Sequence, residues 1–100
     1  MLQRAYAYLL KAVQTFGPVI EERGQHSALF RSRGGFLGVH PKRDALDLQI
    51  VTDHVVRAER VTRVDHVSAR RFHVHVRVAT ASDVDRQLLG WLREAYDLMA

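Results

Sequence analysis

Residues 72–78, Phe72-His73-Val74-His75-Val76-Arg77-Val78, decide the fold of this chain. Every even-numbered position in this stretch is apolar, and every odd-numbered position is polar. Because successive side chains of a β-strand point to opposite faces, this alternation predicts a strand with one buried and one solvated face. The chain should therefore contain an antiparallel sheet that is covered on one side only.

Five further segments have strand-like patterns and are separated by turn residues such as Gly24, Gly34-Gly35 and Pro41. In one of them, Leu46, Leu48 and Ile50 alternate with polar residues, as expected for a strand that is wet on one face. The six predicted strands are residues 19–23, 27–32, 36–40, 45–52, 60–67 and 71–79.

Two amphipathic helices flank the strands. Apolar residues recur every three to four positions over residues 2–15, up to the helix-ending pair Gly17-Pro18. A second such pattern covers residues 82–99, where Ser82 is the predicted N-cap and Asp85 the capping-box acid. Gly90 interrupts this helix and predicts a close approach to another backbone.

These patterns predict one α+β domain over residues 1–100. Its order is an N-terminal helix, an antiparallel sheet of five to six strands and a C-terminal helix, with both helices on one face of the sheet. The sequence leaves the pairing of the strands open.

The composition excludes several classes of protein. With 100 residues and 47% hydrophobic residues, the chain is one ordinary globular domain. It has no Cys, which excludes disulfides, a thiol nucleophile and Cys-ligated metal. No stretch approaches the roughly 18 apolar residues of a membrane span, so we expect a cytoplasmic protein with no membrane partner.

Positive charge is concentrated in the middle of the chain. Residues 23–77 hold eleven of the 15 Lys and Arg residues but only five of the 11 acids, which gives a net charge of +6 there. All six His residues lie in the same segment. Such a segment attracts polyanions or acidic partners by long-range steering.

The order of these features resembles a small bacterial family of domains of unknown function. Members of this family are often found at the C-terminal end of nuclease-like proteins and sometimes stand alone, as we expect here. The resemblance implies the fold and supplies no catalytic residues. It rests on the leading helix and on Ser27–Arg31, Gly35-Phe36, Pro41–Arg43, Leu46–Leu48 and Val78–Tyr96, which includes Trp91–Tyr96.

The solvated face of the sheet is the main candidate site. Guanidinium groups bind phosphates through two parallel hydrogen bonds, and imidazoles add charge below about pH 6.5. No aromatic residue interrupts this polar stripe, so base stacking is not expected. The predicted polyanion-binding residues are Arg63, Arg71, His73, His75 and Arg77.

A secondary basic cluster flanks Gly34-Gly35. This Gly-Gly pair could form a backbone nest for an anion, or it could be a tight hairpin connection. The members of the predicted cluster are Arg31, Arg33, Lys42 and Arg43.

The sequence does not favour metal or catalytic chemistry. His73 and His75 have the spacing of two metal ligands on a strand, and Asp65 or His66 could supply a third, but Arg71 and Arg77 would repel a dication. No serine has the context of a nucleophile. We therefore expect no metal, no cofactor and no catalytic residues.

A surplus of apolar residues leaves a second function open. Val51, Val55, Val56, Val61 and Val67 are more than the core requires and could form an interface in a homodimer or belong to an irregular core. The sequence thus predicts a non-catalytic binding module with nucleic acid or another polyanion as the leading ligand. The alternative is a homo-oligomerisation or protein-partner module with no role in nucleic-acid binding.

Overall fold

The computed structural model describes residues 2–100; Met1, which belongs to the predicted domain 1–100, lies outside them. The observed order of a helix, six strands and a helix confirms the α+β prediction. The elements are α1 (Leu2–Val13), β1 (Ile20–Arg23), β2 (Ala28–Arg31), β3 (Gly35–Pro41), β4 (Leu46–Thr52), β5 (Val61–Ser68), β6 (Arg71–Val78), a 3₁₀-helix (Ala81–Asp83) and α2 (Arg86–Met99).

All six strands form one antiparallel sheet in the order β1-β2-β3-β4-β6-β5. The last strand of the chain, β6, therefore lies between β4 and β5. Since β4 and β5 are both antiparallel to β6, they run in the same direction. The connection at residues 53–60 consequently has to return along the length of the sheet.

One face of the sheet forms the core with both helices. Val74, Val76 and Val78 of β6 have no solvent exposure, as their even positions predict. Leu48 and Ile50 of β4 lie opposite Val76 and Val74 and are equally buried. Complete burial of one such side chain contributes about 1.5–3 kcal/mol. Helix α2 packs on β3 and β4, while α1 packs against α2 and the 3₁₀-helix.

A contact near the end of α1 joins the two helices. Gly17 has a backbone φ of +151°, a conformation that residues other than Gly rarely adopt. A Cβ atom at this position would collide with the hydroxyl oxygen of Tyr96 on α2. That hydroxyl donates a hydrogen bond of 2.8 Å to the carbonyl oxygen of Pro18.

The N-cap of α2 is Asp85, so the prediction of Ser82 was wrong. The Asp85 side chain accepts a hydrogen bond of 3.0 Å from the backbone N–H of Leu88. Ser82 lies in the preceding 3₁₀-helix, where Asp83 accepts bonds from the backbone N–H groups of Ala79 and Thr80. An additional short helical turn thus moves the start of α2 beyond the serine.

The close backbone approach predicted at Gly90 is also absent. Within residues 2–100, no atom outside the local helix lies within 4 Å of the position that a Cβ would take there. Gly90 is on the exposed side of α2. Over the same residues, no helix has the length and apolar character needed to cross a membrane.

Candidate interaction face of the sheet

The side of the sheet opposite the helices is here named the open face. No helix described within residues 2–100 packs on it, and most of its side chains are polar. On this face, strands β4, β6 and β5 carry Asp47, Gln49, Val51, Arg63, Asp65, Arg71, His73, His75 and Arg77. The five residues predicted for polyanion binding therefore lie on this one face.

His75 lies on the open face in the middle of β6, next to the edge strand β5, and is only 5% exposed. Its Nε2 atom donates to Asp65 Oδ2 at 3.0 Å, and its Nδ1 atom lies 3.4 Å from Asp47 Oδ2. Arg63 Nη2 lies 3.3 Å from the same Nε2 atom. Because β6 lies between β4 and β5, each neighbouring strand supplies one carboxylate. His75 thus lies beside carboxylates from both strands that flank β6.

Asp65 is ionised in this arrangement. Burial acts to raise the pKa of Asp65, but the hydrogen bond from His75 and the positive charge of Arg63 outweigh it and lower that pKa. The Arg63 Nε atom lies 3.1 Å from Asp65 Oδ1. Arg63 therefore faces a fixed negative charge.

A second hydrogen-bonded chain crosses the open face from β3 to β6. His40 Nε2 donates to Gln49 Oε1 at 3.1 Å, and Gln49 Nε2 donates to His73 Nδ1 at 2.6 Å. Burial lowers the pKa of His73, and the neighbouring His75 lowers it further. His73 is therefore a neutral acceptor at neutral pH and adds no positive charge to the stripe.

Carboxylates oppose most of the arginines on this face. Arg77 Nη2 lies 3.0 Å from Asp44 Oδ1, and Arg63 pairs with Asp65. Arg71 has no carboxylate partner within residues 2–100 and donates to the carbonyl oxygen of Arg70. The stripe is thus less cationic than its basic residues alone indicate. Sequence reasoning considered Asp65 only as a metal ligand and did not place these acids beside the arginines, although Asp47 and Asp65 have odd positions on strands with the same alternation.

The charges on the open face form two parallel rows, an acidic row along β4 and an arginine row along β6. The acidic row contains Asp44, Asp47 and Asp53 along β4 and its ends; the arginine row contains Arg71 and Arg77 at the ends of β6. Because β4 and β6 are antiparallel, Asp44 and Arg77 lie at one end of the sheet. Asp53 and Arg71 lie at the other end.

A family model described as a domain of unknown function (DUF5655) matches residues 1–99. The chain belongs to the DUF5655 family. This match confirms that the chain is a member of a small family of domains of unknown function. No curated protein and no solved structure matches the chain.

The predicted secondary cluster does not come together in this DUF5655 domain. Arg31 and Arg33 lie at the start of β3, whereas Lys42 and Arg43 lie beyond its other end. Arg31 pairs with Glu22 at 3.4 Å. The backbone N–H of Gly34 donates to the carbonyl oxygen of Met99 at 2.8 Å, so it is not available to an anion. The Gly-Gly pair is therefore a hairpin connection.

Of the residues considered as metal ligands, His66 lies on the opposite side of the sheet from His73 and His75, whereas Asp65 shares the open face with these two histidines. His66 stacks on Phe72 with 4.5 Å between ring centroids, and this pair lies on the helix side of the DUF5655 sheet. His73 and His75 are on the open face. Residues 2–100 contain no group of three or more His, Cys, Asp or Glu side chains arranged to hold a metal ion.

The surplus valines do not form one patch. Val56 is buried in the core and Val61 packs against it, whereas Val51 is half-buried on the open face. Val55 and Val67 are 43% and 54% exposed. Only part of this group can therefore contribute to an interface on the open face of the DUF5655 domain.

Proposed function

We propose that this domain is a cytoplasmic, non-catalytic interaction module that packs its open face against the open face of a second copy. One observation carries the proposal: the acidic row and the arginine row lie side by side on this face, with matching ends. A surface with this pattern is complementary to itself. It suits a second copy better than a polyanion, which would meet the carboxylates.

The geometry of a two-fold pairing follows from the order of the strands. A two-fold axis parallel to the strands, above the boundary of β4 and β6, lays β4 of each copy over β6 of the other. The strands keep their direction under this rotation. Asp44 of one copy then faces Arg77 of the other, and Asp53 faces Arg71. Every such contact occurs twice, as in other isologous dimers.

The part of the open face that overlaps in this pairing corresponds to a small interface. With the axis above the boundary of β4 and β6, only β3, β4, β6 and β5 of the two copies overlap, and four strands of seven or eight residues at about 4.8 Å spacing and about 3.3 Å per residue cover roughly 480 Å². A standard interface buries about 800 Å² of accessible surface on each partner, so we expect a weak dimer. The hydrogen-bonded chains through Gln49 and His75 hold many of these side chains in place before contact, which reduces the entropy lost on association.

The contacts of His75 support a role in structure rather than in catalysis. Both of its ring nitrogens lie close to carboxylate oxygens, of Asp65 and Asp47. A general base needs a free nitrogen within hydrogen-bond reach of its substrate. Fully satisfied buried polar groups make a surface rigid and specific.

The test compares two charge-reversed variants by sedimentation equilibrium. R71E/R77E makes the open face acidic, and D44R/D53R makes it basic. We expect the wild-type chain to be a dimer, each variant alone to be a monomer, and an equimolar mixture of the two to form a heterodimer. R4E/R86E, with the same charge change on the helices, is the control and should remain a dimer. A monomeric wild type, or variants that stay dimeric alone, would contradict the proposal.

Polyanion binding by Arg63, Arg71, His73, His75 and Arg77 is the second candidate. It is favoured by Arg71, which has no carboxylate partner within residues 2–100, and by the formal net charge of +4. Exposed ion pairs such as Arg77–Asp44 are weak, so phosphates can displace the carboxylate.

The same variants distinguish this second candidate from the first. Three phosphate contacts, one from each arginine of the site, would lower affinity for labelled DNA or RNA about 40-fold between about 50 and about 200 mM salt. D44R/D53R should strengthen this binding, whereas it should abolish the dimer. Absence of binding at the lower salt concentration would exclude nucleic acid as the ligand.

A further inference from the structure

A groove on the helix side of the sheet lies between α1 and the turn that joins β1 to β2. Its volume is about 930 Å³, which is within the size range of small-molecule sites. Leu2, Tyr6 and Leu10 of α1 form one wall, and residues 24–27 form the other. Pro41 and Leu46 line it as well. The groove is separate from the open face.

The lengths of the neighbouring strands explain why this groove stays open. The innermost stripe of α1, Ala5, Leu9 and Val13, has no solvent exposure. A second apolar stripe, formed by Leu2, Tyr6 and Leu10, is only half-buried. Strands β1 and β2 have four residues each, so the hairpin is too short to cover this second stripe. An apolar surface in a concavity is thus left for a ligand.

The charged side chains of the groove are basic. Its lining contains Lys11 and Arg23, together with His26 and the neutral amides of Gln3, Gln14 and Gln25, but neither Asp nor Glu. The nearby Glu21 carboxylate is already engaged, since it accepts hydrogen bonds from the Tyr6 hydroxyl and from Arg23 Nε. The Arg23 guanidinium also lies 4.9 Å from the centroid of the Tyr6 ring. Lys11 forms no ion pair within residues 2–100, so it is available to an anion from outside.

From this juxtaposition of an uncovered apolar stripe and acid-free cationic walls, we propose that the groove binds a small amphipathic carboxylic acid. The hydrocarbon part lies along Leu2, Tyr6 and Leu10. The carboxylate lies towards Lys11. A carboxylic acid of this kind can bury its hydrocarbon part on the apolar residues and pair its carboxylate with Lys11. A neutral or cationic ligand can make only the apolar contacts.

The experiment is an NMR titration of the labelled chain with octanoate and octylammonium, each below its micelle threshold, and with octan-1-ol below its solubility limit. We expect saturable shifts in the amides of α1 and of residues 23–28. Octanoate should bind about two- to fivefold more tightly than octan-1-ol, the effect of one exposed ion pair, and octylammonium most weakly. Absence of saturable shifts, or equal affinity for all three probes, overturns the proposal.

Three variants locate the site and the charge. Ala7 is an exposed residue of the lining, so A7W should fill the groove and abolish octanoate binding. Tyr8 is exposed on α1 outside the lining, so Y8W is the matched control and should bind as the wild type does. K11Q should remove the preference for octanoate over octan-1-ol and keep the binding of octan-1-ol. Octanoate binding that survives in folded A7W, or an unchanged preference in K11Q, overturns the proposal.

Discussion

Replacing Gly17 with Ala should strongly destabilise the domain, because two effects act at the same position. A residue with a side chain at a φ of +151° is strained by about 1–3 kcal/mol. The new Cβ would also displace the hydroxyl of Tyr96. Loss of the hydrogen bond from that hydroxyl to Pro18 adds about 0.5–1.5 kcal/mol. We expect a total loss of about 2–4 kcal/mol from the free energy of unfolding.

A double-mutant cycle between Gly17 and Tyr96 separates the backbone strain at residue 17 from the steric clash with the Tyr96 hydroxyl. Y96F removes the hydroxyl and should cost about 0.5–1.5 kcal/mol alone. Because G17A disrupts the same hydrogen bond, the double variant should be less destabilised than the sum of the single variants, by about 1 kcal/mol. Urea unfolding measures these differences through the fluorescence of Trp91, which is the only tryptophan of the chain.

Gly90 supplies a control of opposite sign. It lies on the exposed side of α2, where an added Cβ contacts nothing within 4 Å. G90A should therefore stabilise the domain by about 0.8–1.0 kcal/mol, the difference in helix propensity. A loss below about 1 kcal/mol in G17A, or additive effects in the cycle, would refute the assigned role of the Tyr96 contact.

Three further predictions concern titratable groups, each read out by urea unfolding. The backbone hydrogen bond at its N-cap lowers the pKa of Asp85, so wild-type stability should fall as the pH drops below about 3.8. D85N should keep the cap and weaken that dependence, while D85A should destabilise at neutral pH; equal pH profiles would contradict this. Burial and the hydrogen bond to Glu21 raise the pKa of Tyr6 to about 12, so stability present below pH 10.0 should be lost between pH 10.0 and about 12. In a pH titration followed by tyrosinate absorbance, the ionisation step near pH 12 should be missing in Y6F and present in variants at other positions. H75A should cost about 1–3 kcal/mol by leaving two carboxylates without their shared partner; a neutral effect would refute its role in the sheet.

The sequence was sufficient to predict the helices and strands. It was insufficient to predict the contacts that depend on how these elements pack together. The alternation around Val74, Val76 and Val78 directly encodes which side of β6 is buried, so this face could be predicted from residue types alone. The N-cap could not, since Thr80, Ser82, Asp83 and Asp85 are all capable of capping. Only the packing of the extra 3₁₀ turn selects among them.

The candidate site was predicted in part for a related reason. The positions of Arg71, His73, His75 and Arg77 on one face follow from a single strand and its period of two. The carboxylates beside them come from other strands, and their contacts depend on the insertion of β6 between β4 and β5. Strands that are consecutive in sequence usually pair, and this general rule would place β4 beside β5. That order would not place carboxylates from both β4 and β5 against His75.

The interior position of β6 also determines when this chain can fold during synthesis. While the ribosome makes residues 2–70, β4 has no partner on one side, and its buried-face residues Leu46, Leu48 and Ile50 lack half of their cover. The hairpin of β5 and β6 is local and can form by itself, but it must then dock as a unit on β4. α2, which covers the middle of the sheet, emerges later still. Cooperative folding therefore begins only when nearly the whole domain has left the exit tunnel, and nascent chains before that point expose an apolar strand edge to chaperones or to each other.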